Sequence, residues 1–592
     1  MNPGLTVLDR LGGKMKKLLG PMLYAKDQLA KDTWSFFVNL YLGDVDPAHP
    51  PPLKLRFRTV EGKELPDVVS PQVTRVADFS GLKTRVAGVL WRWEVTLPRA
   101  ETQVRVTYRF EPVEGGPALE EVDYSGQTDT VKPWGAEDVK TVVVPAKGAL
   151  PRAAFFSCNG ASDARTWGAV MRMKRPFGCW MDMLAQHEEP KEGGFELLMG
   201  GGDQVYADSL LDHEPMVEFR KRELEQKLNR DFGPPKGFHE TMLARYVELY
   251  CERWSGSVGI APMLARVPGL FTWDDHDIFD GWGSHESLQS CEWFESLYSA
   301  AALAFEAFQL GALRGGDLPT RRKPCDMHYL QTRHFVGEEC DVDVVALDLR
   351  SGRTYRKQSN GRMAHEVMGP GQWATLDAWR LAHAKDAGLK PRHVVVLSSI
   401  PLVHLRFGSA VESMSGDTEL HDDMLDQWES LVHRGERIRL MVDLLQLAKA
   451  SCCAVTVVSG DVHVGARGLI RSRSPEHIPA GLAEAAIEQV TSSGIVHPPP
   501  DMLQFMGMRM LAEEAVDDLP SYMQTEMLPV GKGRYLRERN WLSLRVEPAR
   551  TKTSRPKLWL RWEAEHTALS MQVVVEPPPL VPTAATLEDG VR

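Results

Sequence analysis

Cysteine is scarce in this chain: the sequence has eight among 592 residues and no CxxC pair. This excludes a small disulfide-stapled domain and favours a reducing compartment. No apolar run approaches the 18 or more residues that a transmembrane helix needs, and the first residues lack the apolar core and cleavage site of a signal peptide. We therefore predict a cytoplasmic protein without a transmembrane segment.

Basic residues are outnumbered by acidic ones. Lys and Arg total 69 against 80 Asp and Glu, which gives a net charge of -11. A broad nucleic-acid-binding surface is not expected with this balance, so we predict no nucleic acid as a stable partner. Lys14, Lys16 and Lys17 suggest a surface helix near the start of the chain, which leaves room for weak peripheral membrane contact.

The composition is otherwise that of a globular protein, with 43% hydrophobic and 25% charged residues. Apolar and polar residues alternate at 89–97 and 104–110, the period-two pattern of half-buried antiparallel strands. After residue 150, short apolar runs alternate with helix-like segments, which is typical of a sheet covered by helices. We therefore predict an α/β protein preceded by an N-terminal antiparallel β-sandwich domain.

The same patterns predict boundaries along the chain. The predicted parts are an N-terminal segment at 1–33, the β-sandwich domain at 34–150, the α/β domain at 151–500, a C-terminal helix with strands packing on that domain at 501–576, and a disordered tail at 577–592.

Side chains that can bind metals or phosphate follow the apolar runs. They are Cys158 and Asn159; Asp203 and Tyr206; Asp274, Asp275 and His276; Asp348, Arg350 and Arg353; and Asp461 and His463. Any one Asp or Asn could simply start a turn or cap a helix. Because functional groups collect at the carboxyl ends of strands in open α/β sheets, the whole set predicts one site.

The chemistry of this set favours metal binding. Carboxylate and imidazole suit hard to borderline cations, whereas thiolate and phenolate favour ferric iron or zinc. One bridging carboxylate would make a two-metal site, which stabilises the attacking and leaving oxygens of an in-line displacement and generates hydroxide at neutral pH. His276, between Asp275 and Asp277, is suited to protonate a leaving group.

Several motifs together resemble those of the PhoD-like alkaline phosphatases, a branch of the calcineurin-like metallophosphoesterases. In chain order they are FFSCN (155–159), GGDQVYAD (201–208), TWDDHDIFDGWGS (272–284), LDLRSGR (347–353), GPGQW (369–373), SGDVH (459–463) and TSSGIVHPPP (491–500). The resemblance implies that 151–500 is a metallophosphatase catalytic domain with a four-layered α/β/β/α sandwich. It also implies two or more metal ions, iron (Fe³⁺) with calcium, with zinc or manganese as alternatives.

The resemblance implies a role for each matched residue. The implied metal ligands are Cys158, Asp203, Tyr206, Asp275, Asp461 and His463. Asp203 matches the bridging carboxylate and His276 the histidine of the family's Asn-His motif, so both are implied to be catalytic. The chain departs from the family at Asp277, where Glu is usual, and at Asp280 and Gly281, where an Asn pair is usual.

These observations predict a metal-dependent phosphoesterase that hydrolyses small phosphate mono- or diesters by attack of metal-bound hydroxide. Arg350, Arg353 and Asn159 are predicted to bind substrate, and pairing with a nearby carboxylate is the alternative for the two arginines.

Other interpretations of single residues stay open. Cys158 and Tyr206 could be buried core groups, and His404 could be either a further metal ligand or a structural histidine. Asp208 and His497 are candidates only for a supporting role behind the ligands. The alternative function is a catalytically silent protein that binds metal, or binds a partner through the N-terminal β domain.

Overall fold

A computed structural model of the chain describes most of its residues. The described ranges are 14–124, 130–133, 139–190, 193–225, 232–284, 291–314, 316–318, 328–357, 363–386, 390–405, 427–430, 432–511, 515–551, 554–567 and 571–580. Most of the predicted tail, residues 581–592, and most of the segment before Met15 lie outside these ranges.

The strands of the described residues are numbered in chain order. They are β1 (Met15–Ala25), β2 (Thr33–Gly43), β3 (Leu53–Thr59), β4 (Val69–Asp78), β5 (Val89–Pro98), β6 (Val104–Pro112), β7 (Leu119–Asp123), β8 (Thr130–Pro133), β9 (Lys140–Val144), β10 (Ala153–Phe156), β11 (Leu197–Gly201), β12 (Gly269–Thr272), β13 (Gln331–Val336), β14 (Asp341–Ala346), β15 (Thr354–Lys357), β16 (Met363–Glu366), β17 (Arg392–Ser398), β18 (Ala454–Ser459), β19 (Gly465–Ser472), β20 (Ala485–Thr491), β21 (Ala515–Leu519), β22 (Met523–Leu528), β23 (Tyr535–Leu536), β24 (Asn540–Glu547), β25 (Lys557–Ala564) and β26 (Met571–Val575).

The α-helices of the described residues follow the same rule. They are α1 (Ala164–Met171), α2 (Gly178–Glu188), α3 (Met216–Glu225), α4 (Phe238–Arg253), α5 (Ala261–Leu264), α6 (Glu292–Phe308), α7 (Pro370–His383), α8 (Arg434–Ala450) and α9 (Met502–Leu511). Short 3₁₀ helices lie at Ala207–Asp212, Asp275–Asp277 and Ala384–Asp386.

Two large mixed sheets contain most of the strands. The first has the order β26-β25-β24-β10-β11-β12-β1-β2-β5-β4, with β7 paired to β1 and β8 to β7. The second has the order β13-β14-β17-β18-β20-β19-β22-β21, with β23 paired to β19. Parallel runs lie at the centre of each: β10, β11 and β12 in the first, and β14, β17, β18 and β20 in the second.

Side chains alternate between two faces of each central strand, as the period of a strand requires. Phe155 points into a core that joins the two sheets, because that core also contains Val395 and Val458. Phe156 points to the other side, into a core shared with helices α2, α4 and α6. Val396, one residue from Val395, enters a third core with α7 and α8. The protein is therefore a mixed α/β structure with an apolar core on both faces of both sheets.

The N-terminal region is rich in β-structure, as the alternating sequence predicts. Strands β3, β6 and β9 form a separate three-stranded sheet, whereas β2, β4 and β5 belong to the first large sheet. Strand β1 joins these strands to the central ones, since it pairs with β2 antiparallel and with β12 parallel. The N-terminal strands and the strands after residue 150 are thus hydrogen-bonded in one sheet.

The prediction of a surface helix around Lys14–Lys17 is wrong, because strand β1 begins at Met15. Lys14 pairs with Glu120 at 2.6 Å, Lys16 with Asp44 at 3.2 Å and Lys17 with Glu121 at 2.5 Å. These cross-strand ion pairs, with an apolar core behind the strand, stabilise an extended segment that a lysine-rich sequence alone does not reveal. At the other end of the chain, β24 pairs with β10, so the C-terminal strands extend the same sheet. No helix among the described residues combines the length and apolarity needed to span a bilayer.

Candidate metal centre

The site is assembled where the central strands of both sheets end. Residues that follow β10, β11 and β12 meet residues that follow β14, β17 and β18. For example, the Cys158 thiol, after β10, lies 3.6 Å from the backbone oxygen of Asp461, after β18. The geometry therefore brings the ends of strands from both sheets to one place.

Four carboxylates lie at the centre of the site. One oxygen from each of Asp203, Asp274, Asp275 and Asp461 lies within 4.8 Å of the others. Asp203, Asp275 and His276 form a second group of three, whose ligand atoms meet the same 4.8 Å limit. Asp203, Asp274 and Asp275 are buried. Buried carboxylates at this spacing repel one another and need a cation or protons to offset their charge.

One guanidinium borders this cluster. Arg350 is fully buried, pairs through Nε with Asp274, and lies 3.2 Å from Asp275 through Nη2. Its Nη1 donates to the backbone oxygen of Trp282 at 3.0 Å. Pairing with carboxylates, the alternative to phosphate contact, is therefore what the guanidinium of Arg350 does here. It offsets one of the charges and fixes two of the candidate ligands.

The thiol of Cys158 contacts the cluster through Asp203. Its Sγ lies 3.3 Å from Asp203 Oδ2 and 3.1 Å from the hydroxyl of Ser493. Burial raises the pKa of the Cys158 thiol to about 11, with the carboxylate of Asp461 adding to the effect. A metal binds the thiolate, so a metal ion that binds this sulfur would have to displace the thiol proton.

Tyr206 and three histidines form a stack along one side. The Tyr206 ring stacks on His276 at 4.5 Å and on His497 at 6.0 Å, and His497 stacks on His463 at 3.5 Å. The Tyr206 hydroxyl lies 3.5 Å from Nε2 of His463. Burial, and then the neighbouring His497, holds the pKa of His463 well below its usual value, which keeps the imidazole neutral as a metal ligand must be.

His276 is held in place by the carboxylate of Asp208. Its Nδ1 lies 2.9 Å from Asp208 Oδ2, and the other Asp208 oxygen accepts the backbone N–H of Asp280 at 2.7 Å. Burial favours the neutral imidazole, but the carboxylates of Asp208, Asp275 and Asp203 outweigh it and raise the pKa of His276 well above its usual value. His276 is therefore poised to carry a proton while Asp208 fixes its ring.

The remaining predicted residues lie around this cluster. Asn159 is engaged on both sides, since its amide donates to the backbone oxygen of Gln204 at 3.1 Å and accepts from the Trp180 indole at 2.7 Å. Arg353 is buried with its aliphatic stem against Gly283, where a Cβ would lie 2.2 Å from Arg353 Cδ. His404 packs on Tyr535 at 5.7 Å and belongs to neither of the metal-binding groups found among the described residues.

Backbone conformation singles out the same residues. Nine non-glycine residues in the described ranges have a left-handed φ, and five of them are candidate ligands. They are Cys158 (φ 54°), Asp203 (φ 58°), Tyr206 (φ 53°), Asp461 (φ 71°) and His463 (φ 54°). Because such conformations are unfavourable for L-residues and cluster where function requires them, this agreement points to the site independently of side-chain chemistry.

Sequence reasoning missed several contributors. Asp274 was noted after its strand but not chosen as a ligand, although it directly precedes Asp275. Ser493 was not singled out, and it contacts Cys158 and accepts the backbone N–H of His463 at 2.9 Å. Asp277 accepts the backbone N–H groups of Gln204 and Val205 at 2.7 and 3.1 Å, which fixes the loop after Asp203.

The residues fit a bound cation. The buried Oδ1 of Asp203 makes no hydrogen bond within the described part of the chain. Asp203 belongs to both groups of potential ligands, so a cation bound by its carboxylate could satisfy this oxygen and would offset the crowded negative charge. Carboxylate, imidazole, thiol and phenol donors together suit a hard or borderline metal.

Comparison with known proteins agrees with this site. Residues 155–370 match the family model described as PhoD related phosphatase, a segment that contains the loops after β10, β11, β12 and β14. An uncharacterized protein of Saccharomyces cerevisiae, YGR266W, is 24% identical over 374 residues, which cover 54% of this chain. The chain spans about half the length of that curated relative, 51%. No solved structure gives a significant match. The resemblance indicated by the motifs is thus confirmed: residues 155–370 match the family model of the PhoD related phosphatases.

Proposed function

We propose that the protein is a metal-dependent phosphoesterase that hydrolyses small phosphate mono- or diesters. The observation that carries the proposal is a cluster of four carboxylates, three of them buried, beside His276. Three of the four, Asp203, Asp274 and Asp275, lie in the segment that matches the phosphatase family. Two cations at such a site stabilise negative charge on a phosphate ester and activate water for in-line attack.

The carboxylates of Asp203, Asp275 and Asp461 would hold the metal ions, and Asp203 is the proposed common ligand because it belongs to both groups of potential ligands. Their grouping within 4.8 Å supports this assignment. Asp274 is proposed as an additional acidic neighbour, held in place by Arg350. Cys158, Tyr206 and His463 complete the proposed set. The identity of the metals as iron and calcium follows only from the family resemblance, with zinc or manganese as alternatives.

His276 is the proposed general acid. Three surrounding carboxylates favour its protonated form, and the contact of Nδ1 with Asp208 leaves Nε2 on the other side of the ring to deliver a proton to the leaving oxygen. General acid catalysis of this kind contributes about 10²–10⁴-fold in rate. Asp208 is a positioning residue, since it touches His276 and the Asp280 backbone.

We also propose that Arg353 and Asn159 contact the substrate phosphate, and that Arg350 does so while it keeps its carboxylate pairs. The proposed location is the cytoplasm. The proposed architecture is a four-layered α/β/β/α sandwich with a β-rich domain before residue 150. It is supported by the three apolar cores, one between the two sheets and one between each sheet and its helices.

The decisive experiment compares the purified protein with Asp203→Asn. Elemental analysis, visible absorption and hydrolysis of p-nitrophenyl phosphate and bis-p-nitrophenyl phosphate are measured on each. The matched control is Asp212→Asn, because Asp212 is an exposed carboxylate that pairs with Arg220 on the surface. We expect metal and activity in the wild type and the control, and their loss in Asp203→Asn with an unchanged circular dichroism spectrum.

The outcomes separate the alternatives. A charge-transfer band with near-stoichiometric iron would support thiolate or phenolate ligands, whereas metal without the band would leave the hydrolase and remove that assignment. Wild-type turnover in Asp203→Asn would refute the mechanism. A wild-type protein that holds no metal and hydrolyses neither ester would instead favour the catalytically silent binding protein.

A further inference from the structure

Helix α9 exposes an unusual amount of apolar surface. Leu503 is 81% exposed, more than any other large apolar residue in the described ranges, and Met502 and Met506 on the same helix are 60% and 54% exposed. Residues 502 and 506 lie one turn apart, so the three side chains form one patch. This patch, defined by Met502, Leu503 and Met506, is called here the α9 patch.

The patch is held firmly from behind. Phe505, which is half-buried on α9, contacts the ring of Tyr535 at 6.2 Å, and the guanidinium of Arg537 lies 5.7 Å from the Phe505 ring. Nε of Arg537 also donates to the backbone oxygen of Pro500 at 2.8 Å, just before the helix begins. The apolar side chains are therefore presented outward by a helix that is anchored to β23.

Basic residues lie on α9 and in the turn before Tyr535, the residue that Phe505 contacts. Arg509 is exposed on the last turn of α9, and Lys532 is exposed in the turn that leads to Tyr535, with Arg534 half-buried beside it. Residues 529–534 contain no acidic side chain, and Asp501 at the start of the helix is engaged with the backbone N–H of Gln504 at 2.8 Å. Exposed apolar and basic side chains on one helix match the two attractions that an anionic bilayer offers.

The α9 patch also lies close to the metal centre along the chain. His497, stacked on His463, is followed by Pro498, Pro499 and Pro500, and α9 starts at Met502. Four residues therefore connect His497 to the first residue of α9. Methionine side chains are flexible and adapt to irregular apolar surroundings, as an interface between lipid headgroups and acyl chains requires.

We propose that α9 and the turn before β23 form a docking surface for an anionic lipid bilayer. Leu503 and the two methionines enter the interfacial region, and Arg509, Lys532 and Arg534 approach the anionic headgroups. Resting on the proposed function, this surface brings the metal centre to phosphate esters carried by amphiphilic molecules. The contact differs from the one expected at Lys14–Lys17, where the lysines pair with Glu120 and Glu121 of β7 and with Asp44 after β2.

Vesicle co-sedimentation of the full chain tests the proposal. Vesicles of phosphatidylcholine alone are compared with vesicles of equal parts phosphatidylcholine and phosphatidylserine, at low and high salt. We expect binding to the anionic vesicles, weakened by salt because the headgroup attraction is screened. Leu503→Ser should lower the partition coefficient about tenfold, equivalent to about 1.4 kcal/mol.

A matched control is Leu381→Ser, since Leu381 is 72% exposed on α7 and outside the α9 patch. Equal binding by both variants, or no binding by the wild type, would overturn the proposal. A marked fall in the thermal midpoint of Leu503→Ser without vesicle binding would do the same, because it would mean that Leu503 is covered by protein. Asp203→Asn should bind vesicles like the wild type, so the docking surface and the phosphoesterase activity fail or succeed separately.

Discussion

Gly160 fixes the position of the Tyr206 ring, and adding a single methyl group should displace that ring. A Cβ on Gly160 would lie 2.5 Å from Cδ2, 3.0 Å from Cγ and 3.2 Å from Cβ of Tyr206. Ordinary contact between carbons is about 3.5–4.0 Å, so the ring must move by roughly 1 Å. It cannot move freely, because it is buried and stacked on His276 and His497.

Two effects of Gly160→Ala follow. Overpacking of this kind costs about 1–3 kcal/mol in the free energy of unfolding. A 1 Å displacement of a site residue costs roughly 10²-fold in rate, so turnover of the nitrophenyl esters should fall by about that factor. Urea unfolding and steady-state kinetics measure the two effects, and any visible charge-transfer band should shift if Tyr206 binds iron.

Gly435→Ala is the matched control. Gly435 lies in the first turn of α8, and a Cβ there would meet no atom within 4 Å. Alanine in a helix is favoured over glycine by up to about 1 kcal/mol, so this variant should be as stable as the wild type or more so, with unchanged turnover. If Gly160→Ala behaved like Gly435→Ala in stability and rate, the placement of Tyr206 against Gly160 would be refuted.

Three further predictions concern the acid, the metals and a buried carboxylate away from the site. Asp208→Asn should lower kcat by about 10²-fold and shift the basic limb of the pH–rate profile to lower pH, because it removes one carboxylate that raises the pKa of His276. Unchanged metal content would distinguish this effect from the loss of a metal ligand. An unchanged pH–rate profile would count against the role of Asp208. Removing metal from the purified protein with a chelator should lower its thermal midpoint, and adding metal back should restore it; an identical midpoint with and without metal would argue against a bound cation. Burial opposes ionisation of Asp343, but hydrogen bonds from His334 and His383 lower its pKa from 3.8 to about 2. A shift of this size contributes roughly 2–3 kcal/mol to the free energy of unfolding. That contribution is present above pH 4 and is lost as the pH falls through 2. Urea midpoints of Asp343→Asn should lack that part of the acid dependence, and a profile parallel to that of the wild type would contradict the assignment.

The strand ends were predictable because strand periodicity and chemistry coincide in the sequence. Phe155 and Phe156 alternate between two cores, and the residues after them carry ligand groups, so both patterns indicate a strand followed by a site. The carboxylate cluster at Asp203 and Asp275 followed from the same reasoning and from the motifs.

Other parts depend on partners far away in the sequence. The carboxylate of Asp274 is held by the guanidinium of Arg350, which lies 76 positions later in the chain. Lys14 and Lys17 at strand β1 pair with Glu120 and Glu121, which lie about 100 positions later and which no local pattern reveals. Local propensity does not encode such pairings, since each of them depends on how the sheet is assembled.

The left-handed backbone at the five candidate ligands has a consequence for how this protein can change. Each such residue costs about 1–3 kcal/mol, so together they cost as much as the whole net stability of an ordinary domain. Glycine at Tyr206 or His463 would relieve the backbone and remove a ligand at the same time. Selection for stability alone would therefore act against these five residues before most others.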